Sequence, residues 1–216
     1  MTEAEWLTSD DPSAMTEFIR ERASERKLQL FAVHTFRQLV HYLPHDLPQE
    51  IDLLEGLAER TAALHPERER VRASRRIRGW PFVSDRGPDT DHDDDYNFVA
   101  ILLYREQLSS LPASHAIAAA SGVADSLVQR PKQVVFLRDI FGNPFRTVVF
   151  SPDWRTDTAV TLAQQMYEAR DFALVPILAD ALQDAGCDNS DVLDHCRGPS
   201  PHVRGCWVVD SVLGKG

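Results

Sequence analysis

The stretch from Thr156 to Arg197 reads TDTAVTLAQQMYEARDFALVPILADALQDAGCDNSDVLDHCR, and it divides itself into three short helices. Thr156 or Asp157 serves as a cap, after which Val160, Leu162, Met166 and Tyr167 recur on a helical face. Asp171 reads as the next cap, with Pro176 in the opening turn and Leu174, Ile177, Leu178 and Leu182 as the apolar stripe. Gly186 stands where a C-terminal cap glycine belongs. Ser190 opens a third helix that reaches Arg197 and stops at Gly198-Pro199. This rhythm, without a repeat of fixed period, predicts an all-α or nearly all-α chain.

Working outward, the same signals recur. Gly205 precedes a last apolar segment, Trp207 to Leu213, bounded by Gly214. Ser151-Pro152 is a cap followed by a first-turn proline. Thr2 and Glu5 have the spacing of a capping box, so a helix begins at Glu3 and carries Trp6 inward. Asp11-Pro12 starts another, with Met15, Phe18 and Ile19 on one face. From Ser24 a longer apolar helix runs through Leu28, Phe31, Val33 and Phe36 to Leu43, where Pro44 ends it. Glu50 to Leu64 repeats the pattern; Phe98 to Leu108 follows the acidic stretch, and after it Ser114 to Val128 is alanine-rich and reads as a helix. Pro131 seats a helix through Val134, Leu137 and Ile140 to Gly142, followed by an extended segment. The alternative for 133–150 is a minor hairpin around Gly142-Asn143-Pro144.

The expected fold is a compact array of short helices forming a single helical domain over 1–216. A sub-division would fall at 80–96, where Pro81, Gly87, Pro88 and an aspartate run make an acidic linker.

At 216 residues the chain can bury a core unaided. No apolar run approaches the roughly 18–20 residues of a membrane span, and the acidic start lacks the pattern of a secretion signal. Three cysteines are an odd count, which disfavours a disulfide framework and points to a reducing cytoplasm. The formal charge of -10 argues against nucleic-acid binding. The exception is a local arginine block from Arg68 to Arg78, which faces an acidic block from Asp85 to Asp95. Pairing of the two, within the chain or between copies, is the simpler reading, and it makes self-association an expectation. The Asp89–Asp95 run lacks the glycine and glutamate of a calcium loop.

Three segments, RDIFGNPFR (138–146), ILADALQDAGC (177–187) and HVRGCWVVD (202–210), together with Thr2–Trp6, resemble a family of bacterial proteins without an assigned activity. The resemblance covers the first forty or so residues and about the last eighty; the middle, from about Leu47 to Arg130, does not share it. In that family the first long helix often carries a cysteine-rich stretch where this chain has Ala32-Val-His34-Thr-Phe36. The resemblance therefore implies a fold and no cofactor site shared between the two ends. It carries over no catalytic residue.

All three cysteines, Cys187, Cys196 and Cys206, fall in the last thirty residues, with His195 and His202 among them. Thiolate and imidazole hold soft metals or act as nucleophile and base. The metal reading takes Cys187, His195, His202 and Cys206 as zinc ligands. The spacing of His202 to Cys206 suits a ligand pair, that of Cys187 to His195 is loose, and no Cys-x-x-Cys occurs. The catalytic reading takes Cys206 as nucleophile, activated by Arg204 and a helix N-terminus at Gly205, with His202 or His195 as base. Asp191 or Asp194 would then orient His195, and Asp210 would orient His202. The plain reading is buried thiols and hydrogen-bonded histidines in a helical core. A stiff turn at Gly198-Pro-Ser-Pro201, with Arg197, His202 and Arg204, would also suit an anion.

No phosphate loop, metalloprotease helix or serine-hydrolase elbow occurs. The leading expectation is thus a cytoplasmic interaction or regulatory module that binds another protein and needs no cofactor. The alternative is a zinc-stabilised domain, or a Cys/His enzyme, built on the terminal cluster.

Overall fold

Side-chain caps set four of the eight α-helix starts among the described residues, and the computed structural model realises those expected at Thr2, Asp11 and Thr156. It describes residues 1–38, 51–52, 55–56, 58–59, 130–199 and 201–215. The α-helices are α1 (Glu3–Thr8), α2 (Pro12–Ile19), α3 (Glu25–Arg37), α4 (Arg130–Phe141), α5 (Asp157–Ala169), α6 (Val175–Asp184), α7 (Ser190–Arg197) and α8 (Trp207–Leu213). A 3-10 turn spans Pro152–Trp154, and the described residues contain no strand. The fold is therefore an array of short helices. No described helix is long and apolar enough to cross a membrane.

Thr2 closes the capping box on α1: its hydroxyl accepts from the Glu5 amide while the Glu5 carboxylate accepts from the Thr2 amide at 2.7 Å. Asp11, Thr156 and Asn189 cap α2, α5 and α7 by accepting from Ser13, Ala159 and Val192. Two boundaries differ from the sequence reading. Asp171 bonds the amide of Ala173, two residues on, making a local turn. The helix α6 starts only at Val175, after Leu174, which makes no side-chain cap. The expected hairpin alternative at 133–150 gives way to α4 and a strandless segment. Apolar residues at 134, 137 and 140 bury one helical face, and Gly142 at φ +63° ends it in the left-handed conformation.

The chain divides into two compact units, Met1–Ser24 with Arg130–Gly216, and Glu25–Gln129. The linker at 80–96, the arginine and acidic blocks, the segment 98–108 and the helix expected at 114–128 lie outside the described residues. So do Leu39–Leu43, the last part of the long apolar helix. In the second unit α3 buries Leu28, Leu30, Phe31, Ala32 and Val33, and Ile51 and Ala58 are also buried. Arg26 pairs with Glu59 at 2.8 Å, and Arg37 with Asp52 at 2.6 Å and Glu55 at 3.1 Å. That order of pairs places the described residues 52, 55 and 59 antiparallel to α3.

The first unit joins the two ends of the sequence. Its core is Ala159, Ala163 and Met166 of α5, Leu178, Ala179 and Leu182 of α6, Val192 and Cys196 of α7, and Val208, Val209 and Val212 of α8. Helix α4 packs on α8 on one side and on α2 on the other. At its last turn Arg138 donates to the carbonyls of Trp6 and Ser9 at 2.9 and 2.7 Å. The fully buried Trp6 donates its indole N–H to the Gly142 carbonyl at 2.9 Å. Phe18 of α2 stacks on Phe145, centroids 5.1 Å apart. Glu3 bonds Asn143 and Arg146, which hold its carboxyl below the ordinary range.

A candidate metal centre

The end of α4, the end of α7, the following turn and the start of α8 converge. Asp139 faces inward because position 139 lies on the buried side of α4, beside Phe136 and Ile140. His195 sits in the last turn of α7. His202 follows the Gly198-Pro199 stop, and Cys206 is the N-cap residue of α8.

Asp139, His195, His202 and Cys206 each direct one ligand atom to a common point, all within 4.8 Å of one another. The Asp139 Oδ1 atom lies 2.6 Å from His202 Nδ1 and 3.2 Å from His195 Nε2. Cys206 Sγ is 3.3 Å from His195 Nε2 and 3.8 Å from His202 Nδ1. Zinc bonds of about 2.0–2.3 Å make tetrahedral edges of about 3.3–3.8 Å. Three of these separations fall within about 0.1 Å of that range. The fourth is a direct hydrogen bond that must open by about 0.7 Å to admit an ion. The widest separation in the set, up to 4.8 Å, would have to close by about 1 Å.

Charge and burial fit the same chemistry. Asp139 is fully enclosed, and burial alone would push its carboxyl up. The hydrogen bonds and charges of His195 and His202 outweigh that and hold it below the usual carboxylate range. Its second oxygen accepts from the Val203 amide at 2.9 Å, which fixes the carboxylate plane. Burial pushes the Cys206 thiol well up, the Asp139 carboxylate adds to that, and the backbone amides of Val209 and Val208 oppose it. A cation at the centre would reverse this balance, because a coordinating thiol is deprotonated outright. The Nε2 atom of His202 is buried without a hydrogen-bond partner. Of these three side chains His195 is the nearest to solvent, 16% exposed against 5% for His202 and 0% for Asp139.

Of the residues named from sequence, His195, His202 and Cys206 come together and Cys187 does not. Cys187 follows α6 in the apolar core, where burial raises its thiol. Cys196 is likewise buried, its thiol pushed up to about 12 by burial and then by the Asp139 carboxylate. All three cysteines are free thiols. The residue missed was Asp139.

The aspartates expected to orient the histidines do other work. Both imidazoles turn to Asp139 instead, Asp191 lies 3.4 Å from Arg146, and Asp194 is exposed. Arg204 does not activate Cys206: it donates to the Tyr167 carbonyl at 2.8 Å and lies over that ring. The anion turn also disperses, since Arg197 pairs with Asp180 at 2.9 Å and His202 is committed to Asp139.

Trp207 supports the centre from one side. Its ring lies 5.2 Å from that of His195, and three of its atoms stand 3.1–3.2 Å from where a Cβ on Gly142 would be. Gly142→Ala must therefore strain a positive φ and push Trp207 toward His195. We expect about 1–3 kcal/mol of destabilisation, read as a lower urea midpoint at unchanged m-value.

No protein-family model matches the chain, and no curated protein or solved structure is significantly similar to it. Every role given to a residue at this centre rests on its geometry.

Proposed function

We propose that this chain is a metal-binding helical protein whose first unit closes around one divalent transition ion, zinc before others. Asp139, His195, His202 and Cys206 are the ligands. The observation that carries this reading is the convergence of four donor atoms from four separate places in the chain. Two nitrogens, a thiolate and a carboxylate oxygen form a borderline set that suits zinc better than the hard magnesium or calcium ions. Four protein ligands in a buried position leave no open coordination site, which is the mark of a structural ion. Such an ion ties α4, α7 and α8 to the turn between them.

A nucleophilic Cys206 is the weaker reading. Reactive thiols are partly exposed and have lowered pKa values, whereas Cys206 is enclosed and raised. Binding of another protein is compatible with a metal-stabilised scaffold but draws no specific support from the described surface. The exposed apolar residues of α6 and its start are Leu174 and Ile177, a pair against the roughly 20–30 residues of a usual interface side.

Elemental analysis of protein purified without chelator tests the reading, with about one zinc per chain expected. Cobalt exchanged into the site should give a thiolate-to-metal charge-transfer band that Cys206→Ser removes. Metal-free protein that also takes up no zinc on titration overturns it.

A further inference from the structure

Resting on the metal reading, we propose that occupancy of this centre governs docking of the N-terminal helix pair α1–α2, which makes residues 2–19 a metal-gated arm. The arm is held by packing of α2 on α4 and by polar contacts from residues at or just after the end of α4 that carries Asp139. Arg138, next to Asp139, grips the carbonyls of Trp6 and Ser9. Gly142, three residues beyond Asp139, accepts from the Trp6 indole. Asn143 and Arg146 hold Glu3.

The opposite side of Gly142 is set by Trp207, the neighbour of Cys206, which in turn lies against the His195 ring. The last turn of α4 thus stands between the ligands and the arm, so that a shift in one is felt by the other.

The arm has little independent stability. Its helices have six and eight residues, well short of the about 12–15 that an isolated helix needs in water. Their order therefore comes from docking onto α2's partner α4 and the turn after it. The ion fixes Asp139 to His195, His202 and Cys206, and so fixes the end of α4 against α7 and α8. Without it, the polar ties of that end to α7 and the turn before α8 are the hydrogen bonds of one carboxylate with two imidazoles and the Val203 amide, beside the packing of α4 on α8. Helices α5 and α6 share one apolar core with α7 and α8, Cys206 included, but they carry none of the four ligands and are held by burial of that core.

Hydrogen exchange on the full chain, zinc-loaded and then chelator-stripped, tests the coupling. Amides of residues 2–19 and 195–209 should exchange at least about tenfold faster once zinc is removed, and one equivalent of zinc should restore them. Amides of α5 and α6 should keep their protection. If 2–19 stay protected while 195–209 open, or if protection falls throughout the chain, the gate is overturned.

Linkage supplies a second arm, since a ligand that tightens docking must itself bind more weakly when docking is impaired. Trp6→Phe removes the indole donor but keeps a large ring, and should weaken zinc binding by about fivefold or more in competition with a chromophoric chelator. An unchanged affinity also overturns the gate. Failure of the wild-type chain to take up zinc overturns the metal reading itself, whereas uptake with an indifferent arm overturns only the coupling.

Discussion

Asp139→Ala is expected to abolish stoichiometric zinc and to lower the stability of the metal-free chain by about 3–5 kcal/mol. Two separate losses add. The first is the only anionic oxygen ligand of the centre. The second is a buried acceptor: the Val203 amide and the His202 Nδ1 atom lose their partner at a fully enclosed position. Leaving such groups unsatisfied costs about 1–3 kcal/mol each.

Asp139→Asn separates the two losses. An asparagine side chain fills the same volume and can accept from the Val203 amide, so much of the metal-free stability should survive. It carries no charge and is a poor zinc ligand, so the metal should still be lost. Zinc content by elemental analysis and a urea denaturation curve, taken with and without chelator, read both quantities. Stoichiometric zinc in Asp139→Asn would show that the carboxylate is not a ligand. The cluster would then be a buried hydrogen-bond network of two histidines, an acid and a thiol.

Why sequence pointed to only part of this centre follows from how helices hide their chemistry. The caps at Thr2, Asp11 and Thr156 were readable because each is local, acting within two or three residues; Asn189 caps α7 one residue before the Ser190 from which that helix was read. Asp171 misled because an aspartate can satisfy a turn as well as a helix start, and here it bonds Ala173. His195, His202 and Cys206 were visible as a cluster along the chain.

Cys187 shared that cluster but faces the apolar core, because the turn after α6 and the helix α7 separate it from the point of convergence. Asp139 is 56 residues upstream of His195, and no spacing rule spans such a distance. Its signal was of another kind: an acid on the same helical face as Phe136 and Ile140, otherwise a buried face. A carboxylate there is costly unless something positive or hydrogen-bonding meets it. That cost is a better sequence signal for a candidate site residue than nearness to a cysteine.

The second large effect is at the other end of the chain. Trp6→Ala should destabilise the first unit by about 3–5 kcal/mol, the range for truncating a fully buried aromatic. Trp6 is 0% exposed, packs at 6.2 Å from the Phe18 ring and donates to the Gly142 carbonyl. Alanine leaves a cavity between α1 and α2 and strips that carbonyl of its donor. Phe18 also loses a ring neighbour, keeping its stack on Phe145. The midpoint of urea unfolding, followed by circular dichroism on chelator-treated protein, measures the loss without any contribution from bound metal. A fall below about 1 kcal/mol would mean that α1 is a fraying terminus, with Trp6 dispensable to the core. In that event the contacts of Arg138 and Gly142 with α1 would be incidental, and the two ends of the chain would not form one cooperative unit.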